Sequence, residues 1–246
     1  MRIKLFIITL TLLTMSACTG DTYSELHIAA ARGQADRVKV LLDQGAEVDQ
    51  SNKHSKTSLQ LAAAAGHTDA MKVLLERQAN IDSQDIDGMT PLMEASAAGH
   101  TAAVQLLVDE GAQINITNKY DATALTNAVF FGHLGATNAL LSAKEKLSSA
   151  TAEKALLIAS GLGHTPIVEA LTSYGVNINS RGKKGRTPLM AAIKFQHTDT
   201  VSFILSKNID LTIRDDDGST ALMLAENAKS NEVIKLIEEK IKSESK

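Results

Sequence analysis

Seven leucines set the frame of this 246-residue chain. Leu26, Leu59, Leu92, Leu125, Leu156, Leu189 and Leu222 are separated by steps of 33, 33, 33, 31, 33 and 33 residues. A fixed period of this size belongs to a solenoid, in which each repeat is too small to bury its own apolar face and completes the core of its neighbour. The clearest copy runs from Asp85 to Thr117, DIDGMTPLMEASAAGHTAAVQLLVDEGAQINIT. Asp85-Ile86-Asp87-Gly88 reads as a turn, Gly88 supplying the positive φ of a tight reversal. Thr90 is placed to cap a helix and Pro91 fits the first helical position, where no N–H is required. A short helix carrying Leu92, Ala95, Ser96 and Ala97 follows, and Gly99-His100 interrupts it. A second helix takes its apolar side from Val104, Leu106, Leu107 and Val108, and Gly111 stops it in the left-handed conformation.

The recurring pattern GxTPLxxAxxxGHxxxVxxLLxxGAxIN resembles the ankyrin repeat, over residues 24–241 and in seven copies. The resemblance implies an all-α solenoid of stacked helix pairs with short β-hairpin fingers, acting as a protein-binding scaffold. It also implies that His27, which follows its anchor leucine, hydrogen-bonds the finger backbone. The other repeats carry Gln, Met, Thr or Leu there. The scarcity of aromatics and the absence of Trp suit thin layers filled by Ala, Leu and Val. A net charge of −3 speaks against nucleic acid, which calls for a basic face.

The copies are not equal. Ser24 to Gln50 lacks a full finger and is unusually polar, with Arg32, Gln34, Asp36, Arg37 and Lys39, as an end repeat facing water must be. Gln78 stands where a helix-stopping glycine is expected, a local cost of about 1 kcal/mol. The fourth repeat has Asp121 for the turn glycine and Lys144 at the helix stop. The fifth is short by two residues: SAKEKLSSAT, residues 142–151, holds no turn glycine, and Lys154-Ala155 replaces Thr-Pro. Its finger is expected to be missing and its helix to start early, capped by Ser148, Ser149 or Thr151. The last helix, NEVIKLIEEKIKSESK, reads as a C-terminal cap, with a frayed tail at 242–246.

Residues 1–17 read as a leader. Arg2 and Lys4 precede an apolar run from Leu5 to Leu13 that is too short to span a bilayer. Met15-Ser16-Ala17-Cys18 resembles a bacterial lipoprotein cleavage box, with Met15 in place of the usual Leu. Lipid on Cys18, the sole cysteine, would anchor the chain through a tether at 18–23. The competing reading is ordinary cleavage nearby with Cys18 incidental. Loss of Arg2 and Lys4 takes the charge from −3 to −5. Thr19 is not the Asp that retains lipoproteins in the inner membrane of enteric-type bacteria, so the expected location is the outer membrane, facing the periplasm.

No residue pattern points to catalysis, a cofactor or a metal. His67, His100, His133, His164 and His197 recur once per repeat, but stacked layers lie about 10 Å apart, far beyond the reach of about 2 Å of a metal bond. Each follows the inter-helix glycine position, so a structural role is expected. Ser83, Asp85, Asp87, Gly88 and Glu94 overlay a calcium loop. The repeat already explains them, and Pro91 would break the loop's winding. An enzyme remains the minority reading.

What remains is the surface the family uses: finger tips and the last residues of each first helix. Tyr120, Phe130, Phe131 and Phe195 fall on these positions, and aromatic anchors carry binding hot spots. The competing reading packs them between repeats, Phe131 especially. Leu162 is expected to line a notch left by the missing finger, beside a basic rim of Arg181, Lys183, Lys184 and Arg186 that would steer an acidic partner. The expected partner is an unidentified envelope or periplasmic protein bound by a monomer, with membrane contact through the lipid alone. The chain would hold a periplasmic enzyme in an active or protected form; the alternative is an immunity protein that neutralises a periplasm-targeted toxin.

Overall fold

A computed structural model describes residues 23–143 and 147–244. The leader, Cys18 with its box, and Lys144 lie outside the described residues. The described chain is a run of helix pairs, each first helix holding one of the seven leucines. The pairs are α1 (Glu25–Ala31) and α2 (Ala35–Asp43), α3 (Ser58–Ala65) and α4 (Thr68–Glu76), α5 (Pro91–Ala98) and α6 (Thr101–Asp109), and α7 (Ala124–Phe130) and α8 (Leu134–Leu141). They continue with α9 (Ser149–Leu162) and α10 (Thr165–Tyr174), α11 (Pro188–Lys194) and α12 (Thr198–Leu205), and α13 (Ala221–Asn227) and α14 (Asn231–Glu244). The last helix thus continues three residues beyond the expected domain end at 241. First helices stack on first helices and second on second. Among the described residues no helix is long and apolar enough to cross a membrane.

The first helices begin where a hydroxyl can cap them. Thr90 Oγ1 accepts from Met93 N–H at 3.2 Å, with Pro91 in the first turn. Thr57, Thr123, Thr187 and Thr220 repeat this geometry. The anchors Leu26, Leu59, Leu92, Leu125 and Leu156 are fully buried, whereas Leu222, in the last layer described, is only partly covered.

Gly99 ends α5 at φ 76°. A Cβ there would sit 2.5 Å from His133 Nδ1 of the next repeat, whose ring lies against the glycine while its Nε2 bonds Ala97 O at 3.0 Å. His100 and His197 take the same seat, on Gly66 and Gly163. The histidine ladder is therefore interlayer packing, as expected. It also explains why Gln196 can hold φ 62° in place of glycine. In the next repeat the histidine's position is taken by Ser230, which carries no ring.

The fingers depart from expectation. Among the described residues there are no β-hairpin strands, only an isolated antiparallel bridge between Ser51 and Thr57. Each finger is instead a five-residue turn, and four of the five described are tied by their own first side chain. Asp85 Oδ1 accepts from Asp87 N–H and Met89 N–H, both at 2.9 Å, and Asp85 N–H donates to Met89 O at 3.0 Å. Asn52, Asn118 and Asp215 do the same. With its backbone groups satisfied this way, the turn needs no ladder. The sixth repeat has Gly182 at this position because Leu157 of α9 fills the space: a Cβ on Gly182 would meet Leu157 Cδ1 at 2.4 Å.

The fifth finger is absent, as its shortened period implies. α9 begins at Ser149, with Ser148 Oγ accepting from Thr151 N–H at 3.2 Å.

Candidate partner-binding surface

The candidate residues divide into two groups by their place along the first helices. Phe130, Phe131, Leu162 and Phe195 lie at the C-terminal ends of α7, α9 and α11. Tyr120, Lys183, Lys184 and Arg186 belong to fingers, beside the helix starts. Leu162 therefore cannot line the gap left by the fifth finger. It sits thirteen residues from the start of α9, about 20 Å along the axis. The expected single notch resolves into an apolar row at the helix ends and a polar row at the finger tips.

The apolar row is exposed: Phe130 48%, Phe131 50%, Leu162 39% and Phe195 57%. Phe130 and Phe131 meet edge to face at 5.1 Å between centroids, and Phe131 stacks with His133 at 6.3 Å. Interlayer burial of Phe131 does not occur, because the histidine ring already occupies the seat between layers. Phe195 lies across Gly161, its ring carbons 3.6 Å from where a Cβ would stand, and Lys194 Nζ sits 5.4 Å from its centroid. Exposed apolar side chains on successive helices form a patch of the kind that binding surfaces present.

The tip row is held together by one backbone hydrogen bond per neighbouring pair of fingers. Ile86 N–H donates to His54 O at 3.1 Å, Lys119 N–H to Asp87 O at 3.0 Å, and Asp216 N–H to Lys184 O at 3.0 Å. Tyr120 is the most exposed of the described aromatics, at 75%. The basic rim is smaller than the sequence suggests. Arg186 is half-buried, its Nε 3.6 Å from the buried Asp215 carboxylate. Arg181 faces Asp216 at 3.5 Å and donates to Gly185 O and Arg214 O. Lys183 and Lys184 remain exposed.

Lys154, which sequence reasoning treated only as a lost threonine, reaches into the gap. Its ammonium donates to both the carbonyl and the carboxylate of Asp121. That hydrogen bond, then the charge behind it, holds the Asp121 carboxyl below its ordinary pKa, with Lys183 adding a smaller pull in the same direction.

The calcium-loop overlay has no donors to spare. Asp85 spends Oδ1 on its own turn, and Lys56 sits between Glu94 Oε1 and Asp85 Oδ2, 3.4 Å from the latter. Burial would lower the Lys56 pKa, but Glu94 and then Asp85 more than offset it and raise it above its ordinary value. Among the described residues no group of three or more His, Cys, Asp or Glu side chains is placed to hold a metal ion. His27 Nε2 bonds Lys56 O at 3.1 Å, and burial lowers its pKa despite that contact. Gln60 does the same work one repeat on, donating to Met89 O at 2.6 Å.

A family model described as ankyrin repeats (3 copies) matches residues 9–85, 26–118, 79–150, 125–215 and 156–246 in overlapping segments. Among solved structures, the human ASB11 ankyrin repeat domain is 27% identical, with a TM-score of 0.75, covering 89% of this chain and 98% of its own. The ankyrin repeat domain of Bcl-3, a member of the IkappaB protein family, is 22% identical with a TM-score of 0.78, covering 89% and 99%. No curated protein matches the chain.

Proposed function

Because the chain belongs to the ankyrin-repeat family, a family of protein-interaction scaffolds, we propose that it is a seven-repeat binding module that grips one envelope protein through its first-helix ends and finger tips. The observation that carries this reading is the row of Phe130, Phe131, Leu162 and Phe195, four large apolar side chains kept exposed on three successive first helices. Burying them against a partner would recover the hydrophobic free energy that the free protein forgoes. Among the described residues no group of three or more His, Cys, Asp and Glu side chains is placed to hold a metal ion, and on this reading the chain acts by binding rather than by turnover. Cys18 carries the lipid that holds the module to the outer membrane, and the solenoid faces the periplasm, where it keeps a periplasmic enzyme active or protected. The leader-like run and the small residues before Cys18 support that location.

The test is capture from envelope extracts with wild type and with Phe130→Ala/Phe195→Ala, read by mass spectrometry. A protein enriched by wild type and lost by the folded double variant supports the reading. Equal recovery by both sinks it.

A further inference from the structure

The finger row obeys a rule, and the rule is broken at one place. In each linked pair, the second residue of one finger donates its N–H to the carbonyl of the third residue of the finger before it. Applied to the gap, the rule leaves the carbonyl of Tyr120 on one side and the N–H of Lys183 on the other, separated by the place of one absent finger. Among the described residues neither group has a backbone hydrogen-bond partner. The floor of that place is not apolar. Lys154 stands where other repeats cap their helix with threonine, and its ammonium lies against Asp121. Lys183 is close enough to depress the same carboxyl, and Lys184 is exposed beside it. Two ammonium groups, those of Lys154 and Lys183, thus act on a single carboxylate, in a chain whose net charge is negative.

We propose that this empty place in the finger row receives an acidic tight turn from the partner protein, which docks as a surrogate fifth finger. Such a turn offers what the row lacks: an N–H for Tyr120 O, a carbonyl for Lys183 N–H, and carboxylates for Lys154 and Lys183. The Lys154–Asp121 pair is solvent-exposed, so exchanging Asp121 for a guest carboxylate costs little. The inference deepens the scaffold reading by giving its partner a recognition element, and it rests on that reading.

The chain's own third finger is the probe. A cyclised peptide of residues 83–90, SQDIDGMT, is added to the 15N-labelled full chain, and backbone amide shifts are followed. The expected result is saturable shifts at Tyr120, Asp121, Lys154 and Lys183 at millimolar peptide. Lys154→Ala weakens binding about tenfold, the effect of one hydrogen bond to a charged group. A peptide carrying Asp87→Asn also binds more weakly, and added salt weakens the parent peptide. Lys72→Ala, far from the gap, changes nothing. Absent shifts, shifts centred on Phe130 and Phe195, or equal affinity for wild type and Lys154→Ala would each overturn the proposal. Shifts at the gap that grow with protein concentration alone would assign it to a second copy and overturn it equally. If the peptide ignores the gap while Phe130→Ala/Phe195→Ala still loses a captured partner, only the surrogate finger is rejected and the scaffold stands.

Discussion

Replacing Gly99 by alanine separates two effects that glycine serves at once. The backbone there is left-handed, at φ 76°, and a non-glycine residue in that region costs about 1 to 2 kcal/mol. A Cβ would also stand 2.5 Å from His133 Nδ1 and 2.7 Å from Cγ and Cε1, so the whole ring must move and not merely its tip. Moving it breaks the bond from Nε2 to Ala97 O, a further loss of about 1 kcal/mol. The sum is about 2 to 3 kcal/mol. Gly111 supplies the control: its φ is 88°, but a Cβ would meet nothing within 4 Å, so Gly111→Ala should cost only the backbone share, about 1 to 2 kcal/mol. Urea denaturation of both variants, with His133→Ala alone and combined with Gly99→Ala, measures the ring's part as a coupling energy. In the double variant the excess cost of Gly99→Ala should vanish. Equal costs for Gly99→Ala and Gly111→Ala would refute the argument that the histidine seat, and not φ alone, selects glycine.

Leu107 is fully buried, so Leu107→Ala should cost about 2–5 kcal/mol in urea denaturation, while Lys183→Ala on a finger should cost almost nothing. Phe130→Ala and Phe195→Ala, at exposed sites, should leave the melting temperature nearly unchanged in differential scanning calorimetry; a loss of about 3–5 kcal/mol, as for core Phe truncation, would place them in the interlayer core. The His27 pKa is lowered, so the unfolded chain binds its proton first, and this site should erode stability as pH falls below its ordinary value of 6.5. His27→Gln, copying the bond Gln60 makes, should abolish that acid-side loss in a urea series across pH. Metabolic labelling with a palmitate analogue should mark wild type and spare Cys18→Ser; label retained in the variant would reject lipidation there.

The helix pairs were legible because their determinants are local. The threonine caps, Pro91 and the anchor leucines each announce an element within a few residues of themselves, and the shortened period announced the missing fifth finger. The β-hairpin expectation failed because the deciding groups, Asn52, Asp85, Asn118 and Asp215, satisfy their own backbone and leave no need of strands. Their recurrence at the head of four of the five described fingers was a signal that could have been read. Leu162 was misplaced because sequence position says which repeat a residue belongs to, but not at which end of a helix the finger stands. The pairing of Arg186 with Asp215 was invisible for a different reason. It joins residues 29 positions apart, across two layers, and emerges only when the stack is built.

The separation of the two rows constrains how any partner engages this surface. An apolar row and a charged row do different work: desolvated aromatic contacts govern how slowly a complex falls apart, whereas exposed charges govern how fast it forms. α7 alone, at seven residues, sets the rows about 10 Å apart, and α9, at fourteen, about 20 Å. A partner that reaches both must span that distance along the first helices. One that touches the finger tips alone would bind quickly, weakly and with strong salt dependence. Phe130→Ala should then raise the dissociation rate with little change in association, and Lys154→Ala should slow association in low salt. A variant at either row that altered both rates equally would mean that the two rows act as one continuous site.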